Sequence, residues 1–122
     1  MLRAPDGRFS LQNQRNNGIL ATRVEPAFDS ARRRRGLLGR REFPQGAALI
    51  IAPCGSVHTF FMRMAIDVVF ASRDGHVLKT YSNLRAWRIA FAVGAFAAVE
   101  LPAGTLARIE TNPGDRLQLM GD

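Results

Sequence analysis

The sequence predicts a mainly β (α+β) domain, a small antiparallel β-barrel or sandwich-like unit with two short helices. Three observations carry this. Apolar runs of strand length recur along the chain, among them AALIIA at 47–52, VHTFFM at 57–62, IDVVFA at 66–71 and FAAVEL at 96–101. Turn residues separate the runs, with Asp74-Gly75 and Asn112-Pro113-Gly114-Asp115 the clearest. Helix start signals are confined to two short stretches. Many short strands punctuated by turns are the pattern of barrels and sandwiches. A chain of 122 residues fits one such domain, expected over 19–122, since a second would leave neither enough residues for a core.

Residues 1–18 are polar, rich in Arg, Asn and Gln, and read as a flexible basic arm ending in an Asn17-Gly18 turn. Ile19 to Val24 reads as a first strand that Pro26 stops. Asp29 and Ser30 can accept the free N–H groups of a helix start, which predicts a helix from Ala31 to about Arg40. Phe43 to Gly46 is a loop. Ala47 to Ala52 is continuously apolar, as a strand buried on both faces would be, and Pro53 ends it. Cys54-Gly55-Ser56 connects it to strands over Val57–Met62 and Ile66–Ala71. The Asp74-Gly75 pair predicts a hairpin joining Val68–Ser72 to Val77–Tyr81, through a two-residue loop that uses the positive φ open to Gly. Trp87–Val93 and Phe96–Leu101 are further strands. A short helix follows from Thr105 to about Glu110, then a turn with Pro113 in second place and a last strand through Leu117 and Leu119.

Composition excludes several classes. The hydrophobic fraction of 47% argues against wholesale disorder. No apolar run approaches the roughly 18 residues of a spanning helix, so no membrane span is expected. The single cysteine, Cys54, rules out an internal disulfide and an all-cysteine zinc site. With no apolar leader at the N-terminus, the expected compartment is a reducing cytoplasm. The net charge of +7 sits entirely in residues 1–41, with ten arginines against three acids, while residues 42–122 balance. Such a segment attracts nucleic acid or anionic surfaces in general terms, but no recognition module accompanies it, so nucleic acid is not the expected partner.

Few residues carry chemistry. Cys54 and His58 stand four apart across a Gly-Ser turn, the residue types of a nucleophile and its base, though an extended span holds their Cα atoms about 13 Å apart. The plainer reading is a buried thiol beside a hydrogen-bonded imidazole. Asp67 lies inside an apolar run, so its carboxylate must face outward or be paired, either as a general base or as a cap on backbone N–H groups. Glu100 is placed in the same way. Phe60, Met62 and Trp87 can line a pocket or fill a core. The loop 63–66 can bring His58 and Asp67 to one end of the domain, where a His–Asp pair would raise the imidazole's pKa. Phosphate-binding loops, nucleophile elbows and zinc motifs are absent, so no metal or cofactor is expected.

Five stretches taken in order resemble domain-of-unknown-function family 192. They are Arg35-Gly-Leu-Leu-Gly-Arg40, the apolar strand before Pro53, Cys54 with Val57-His-Thr-Phe-Phe-Met62, Ile66-Asp-Val-Val-Phe70, and Glu100-Leu-Pro-Ala-Gly-Thr105 followed by Pro113-Gly-Asp-Arg-Leu117. They span about residues 20–120. The chain departs from the family's pattern at Ala65 and at Glu110-Thr111. The resemblance implies a β-rich single domain and singles out Arg35, His58, Met62, Asp67, Glu100 and Asp115; it imports no reaction. Three functions therefore compete. The leading one is a ligand-binding or accessory module with an apolar pocket, bearing the His58/Asp67 pair and taking an unidentified small molecule. The second is a hydrolase or transferase-type enzyme using Cys54 with His58. The third is a binder of nucleic acid or anionic surfaces through the arginine-rich first third. Neither ligand nor oligomeric state is legible in the sequence.

Overall fold

The computed structural model describes residues 9–35 and 42–121. In chain order the elements are β1 (Phe9–Asn13), β2 (Gly18–Ala21), β3 (Arg23–Ala27), α1 (Ser30–Arg35), β4 (Ala47–Ile51), β5 (Ser56–His58), β6 (Ile66–Ala71), β7 (Val77–Leu84), β8 (Ile89–Phe91), β9 (Ala97–Pro102), α2 (Thr105–Arg108) and β10 (Leu117–Gly121). The fold is mainly β, as expected. It is a layered sandwich rather than a closed barrel: a five-stranded sheet in the order β3-β4-β9-β6-β7, a three-stranded sheet β10-β1-β2 and a two-stranded ribbon β5-β8. All pairings are antiparallel except β3–β4, which is parallel.

The apolar runs explain the layering. All six residues of β6 and five of the six in β9 are buried, so the five-stranded sheet needs a cover on each face. Alternation along the strands divides their side chains. Ala48, Ile50, Val69, Val99 and Leu101 pack with Leu11, Leu20 and Leu117 of the three-stranded sheet and Leu106 of α2. Leu49, Ile51, Ile66, Val68, Phe70 and Ala98 pack with Val57, Ala90 and Ala92 of the ribbon and with Met62. Two cores thus back onto one sheet.

Several elements differ from the sequence expectation. The arm expected over 1–18 divides: residues 1–8 lie outside the described residues, and 9–18 are strand and turn. Phe9, Leu11 and Asn13 alternate inward along β1, paired to β10 on one side and β2 on the other; the polar Ser10 and Gln12 between them conceal this in composition. The expected strand Ile19–Val24 breaks at Thr22, where the Thr22 and Arg23 amides both donate to the Gly46 carbonyl, and its halves enter different sheets. Pro26 sits within β3 rather than ending it. That strand is an edge, so the missing N–H faces no neighbour. The helix begins as expected, with Asp29 Oδ1 accepting from the Arg32 amide at 2.8 Å. Its expected extension over 36–40 lies outside the described residues.

The run 57–62 keeps only two strand residues and 87–93 only three, because Phe61 and Trp87 take positive φ values of 64° and 66°. Thr59, fully buried, ties these turns together. Its amide donates to the Arg88 carbonyl and its hydroxyl to the Arg85 carbonyl, while the Trp87 amide donates to the Thr59 carbonyl. The 72–76 hairpin forms, but as a turn over Ser72–Gly75 closed by the Gly75 amide on the Ser72 carbonyl, with positive φ at Gly75 alone of its residues. The expected Asn112–Asp115 turn forms with its Asp115 amide on the Asn112 carbonyl.

A buried polar knot fastens β1 to that turn. Asn13 Nδ2 donates to Thr111 Oγ1 and, at 2.9 Å, to Asp115 Oδ2; Arg15 Nε meets Asp115 Oδ1 at 2.6 Å; the Asn112 amide donates to Asp115 Oδ2. The Arg15 bond first, and then the Asn112 and Asn13 donors, hold the Asp115 carboxyl at about 2, below its ordinary 3.8. A depressed folded-state pKa gives stability that is present above pH ~4 and is lost as pH falls toward 2. Acid unfolding followed by circular dichroism should therefore show a component in this window that Asp115→Asn removes. At the hairpin, a Cβ on Gly75 would lie 2.3 Å from the Leu117 carbonyl oxygen at φ +93°. Gly75→Val should cost about 2 kcal/mol or more in denaturant unfolding, because β-branched residues resist this region and the clash is with backbone.

Candidate functional site

The structure separates the residues that the sequence suggested as one site. Asp67 is buried on β6, on the face shared with Val69 and Leu101. Opposite it the β6–β7 register slips between Ile66↔Leu84 and Val68↔Tyr81, a β-bulge with Asn83 at φ 54°. The bulge frees an amide from the ladder, and Asp67 Oδ1 accepts it from Asn83 at 2.8 Å. Oδ2 accepts from the Gly104 and Leu106 amides at 3.1 and 2.9 Å, at the start of α2. All of this is backbone capping, the plainer of the two readings.

His58 lies on the ribbon over the opposite core, exposed, its Nδ1 accepting from the Phe60 amide at 3.3 Å. It makes no bond to Asp67, so the expected His58/Asp67 pair does not form: the central sheet lies between them. The Cys54–His58 dyad does not form either. The Cys54 thiol donates to the Ser56 carbonyl at 2.9 Å. Burial, with the Glu100 carboxylate adding and Arg33 opposing, pushes its pKa up, and a protonated thiol is a poor nucleophile. Glu100 is buried on β9 between Leu49 of β4 and Val68 of β6, on the ribbon side of the sheet. Among the described residues no three His, Cys, Asp or Glu side chains converge as a metal centre would require. The side chain of Arg35 lies outside the described residues.

Phe60, Met62 and Trp87 are not among the residues that line the groove between the two larger sheets. Met62 is buried in the second core. Phe60 stacks between His58 and Trp87 with ring centroids 5.0 and 5.6 Å away, and the Trp87 ring, 56% exposed, meets Phe61 edge-on at 4.6 Å.

The concavity lies elsewhere, in a place the sequence reading missed. A groove of about 660 Å³ opens where the two larger sheets part, between Leu117 and Leu119 of β10 and Ile50, Ala52, Ala97 and Val99 of β4 and β9, with residues 72–75 along its border. Its walls are mostly apolar, with Gln14 and Gln118 among them, and its border carries two guanidinium groups. Arg73 lies over the Phe96 ring at 4.1 Å and has no hydrogen-bond acceptor among the described residues. Arg116 Nε donates to the Asp74 carbonyl, which leaves its terminal N–H groups uncommitted. The Asp74 carboxyl is held near 2 by Ser72 and then His76, and is thus occupied within its own hairpin. Two basic residues flanking a turn are a common surface pattern, and nothing in the sequence shows that strands 20 to 50 residues away complete a groove beside them.

A protein-family model, DUF192, described as "Uncharacterized ACR", matches residues 11–119. No curated protein sequence matches the chain. Two crystal structures share the fold. One is a protein of unknown function from Novosphingobium aromaticivorans, 22% identical, with TM-score 0.77 over 96% of this chain and 91% of that one. The other, from Sinorhizobium meliloti, is titled a "putative transcription regulator" and is 24% identical, with TM-score 0.80 over 92% of each chain. At these identities the likeness concerns the fold.

The geometry predicts opposite outcomes at two positions first read as partners. Asp67→Asn replaces an acceptor of three amides with a group that turns N–H toward N–H, and should cost about 3 kcal/mol in urea unfolding. His58→Ala, at an exposed site, should stay within about 0.5 kcal/mol of the parent.

Proposed function

The chain belongs to the DUF192 family, and from that premise and the groove between its sheets we propose a non-catalytic binding module for a small amphipathic anion, with an apolar body and a carboxylate or phosphate head. The observation that carries this reading is the combination of an apolar groove with two uncommitted guanidinium groups at one border. Sites for small molecules are typically apolar concavities with a few convergent polar groups, and guanidinium groups suit oxyanion heads.

The competing readings have weaker support. An enzyme based on Cys54 and His58 lacks the hydrogen bond between nucleophile and base that activation requires. The Sinorhizobium neighbour is described as a "putative transcription regulator", but the described arginines of the first third are dispersed. Arg15 is bound to Asp115, Arg23 opens β3, and Arg32 and Arg33 bond to Asp29 and the Phe28 carbonyl on α1. Among the described residues, the arginines of the first third form no single basic face for strand binding.

Isothermal titration with decanoate, with acetate as a control for the head group alone, tests the proposal. Decanoate should bind and acetate should not. Removing one guanidinium partner, in Arg73→Ala or Arg116→Ala, should weaken binding about tenfold, the equivalent of roughly 1.4 kcal/mol. Ala97→Phe should abolish it by filling the groove. Equal responses to the two acids, or a decanoate affinity indifferent to all three substitutions, would remove the groove from consideration.

A further inference from the structure

Strand β8 of the ribbon breaks the rule that outward strand positions are polar, while its partner β5 turns Ser56 and His58 outward. Ala90 and Ala92 point into the core, and the alternate positions Ile89, Phe91 and Val93 point out, exposed by 65%, 55% and 92%. Phe61, 70% exposed, continues this surface through its contact with Trp87. Scattered exposed apolar residues are ordinary, but a contiguous aromatic and aliphatic surface marks an interaction site.

The charge around the surface is one-sided. Arg63, Arg85 and Arg88 border Phe61 and Trp87 in sequence and are exposed. Lys79 Nζ sits 4.9 Å from the ring centres of both Phe91 and Tyr81. The segments 52–66 and 76–99, which carry these residues, contain no Asp or Glu. The occupant must therefore be anionic and must accept both aliphatic and aromatic groups. A second copy of this face would bring four cations against four. Bases of a single strand would stack on Trp87 or Phe61 but gain little from Ile89 and Val93. An anionic lipid surface satisfies both requirements. Its headgroups meet the Arg and Lys side chains, its acyl boundary takes Ile, Val and Phe, and Trp favours the interface between them.

We infer that the β5–β8 ribbon and the adjoining Phe61–Trp87 contact form a docking site for anionic membrane surfaces. The inference is independent of the groove. Trp87 is the single tryptophan of the chain, so its emission reports docking directly. The full chain should be mixed with vesicles of phosphatidylglycerol and phosphatidylcholine in equal parts, and with phosphatidylcholine alone, and followed by Trp emission and co-sedimentation. Expected are a blue shift and sedimentation on the anionic vesicles, at least tenfold less on the neutral ones, and weakening at 0.5 M salt. Val93→Asp, at an almost fully exposed position, and Arg88→Glu should each reduce partitioning at least tenfold with melting temperatures unchanged. Equal partitioning by parent and both folded variants would overturn the inference, as would no shift on anionic vesicles. So would a Trp shift produced by a single-stranded oligonucleotide but not by vesicles, or self-association in sedimentation velocity that Val93→Asp abolishes.

Discussion

The carboxylate of Asp67 holds three backbone amides from two parts of the chain that have no other reason to meet. One belongs to the β7 bulge, and the other two open α2 just after β9. Each of these amides would otherwise be left without an acceptor in a dry setting, at a cost of about 1–3 kcal/mol per group. The bulge bends β7, and the placement of α2 sets Leu106 over the first core. A buried charge on a central strand is tolerable because it is fully engaged, and it sets α2 on one face of the sheet.

The five-stranded sheet separates two environments. On one face Asp67 and the Asn13–Asp115 knot are saturated by hydrogen bonds, and the remaining surface is aliphatic. On the other face Glu100 lies among Leu49, Val68 and Ala98, close enough for its charge to act on the Cys54 thiol. Low local dielectric strengthens such effects. It also means that the polar groups of the interior are engaged in holding layers together. Chemistry with solvent-borne molecules has to take place at the periphery, where the sheets part or where the ribbon faces outward.

How much of this the sequence revealed follows a physical line. Features that depend on near neighbours were legible: the largely buried β4 from its unbroken apolar run at 47–52, the hairpin from Asp74-Gly75, the Asn112–Asp115 turn from Pro and Gly, the start of α1 from Asp29. The capping role of Asp67 was legible as one of two readings, since an apolar run leaves a carboxylate few choices. Features set by distant residues were not. Phe9–Asn13 looks like an arm until β2 and β10 are present on either side. Pro26 looks like a stop until β3 is known to be an edge. VHTFFM has strand composition throughout, yet Thr59 is bound to the Arg85 and Arg88 carbonyls and turns the chain after three residues. The expected His58/Asp67 pair failed for the same reason. Nearness in sequence placed the two together, while strand alternation and the sheet between the layers placed them apart.

Strand β8 and the residues beside it carry an unusual alternation. WRIAFAV from 87 to 93 alternates large and small residues, where a half-buried strand normally alternates apolar with polar. Large inside and small outside would be ordinary packing. The structure does the reverse, with the alanines against the core and Ile89, Phe91 and Val93 facing outward. Small inner residues let the ribbon lie close to the sheet, where Tyr81 grips it by donating its hydroxyl proton to the Phe91 carbonyl and accepting from the Phe91 amide. The ribbon is thereby fixed without using its larger side chains. Those side chains remain more than half exposed, so their presence calls for an explanation outside the fold, in whatever the ribbon meets.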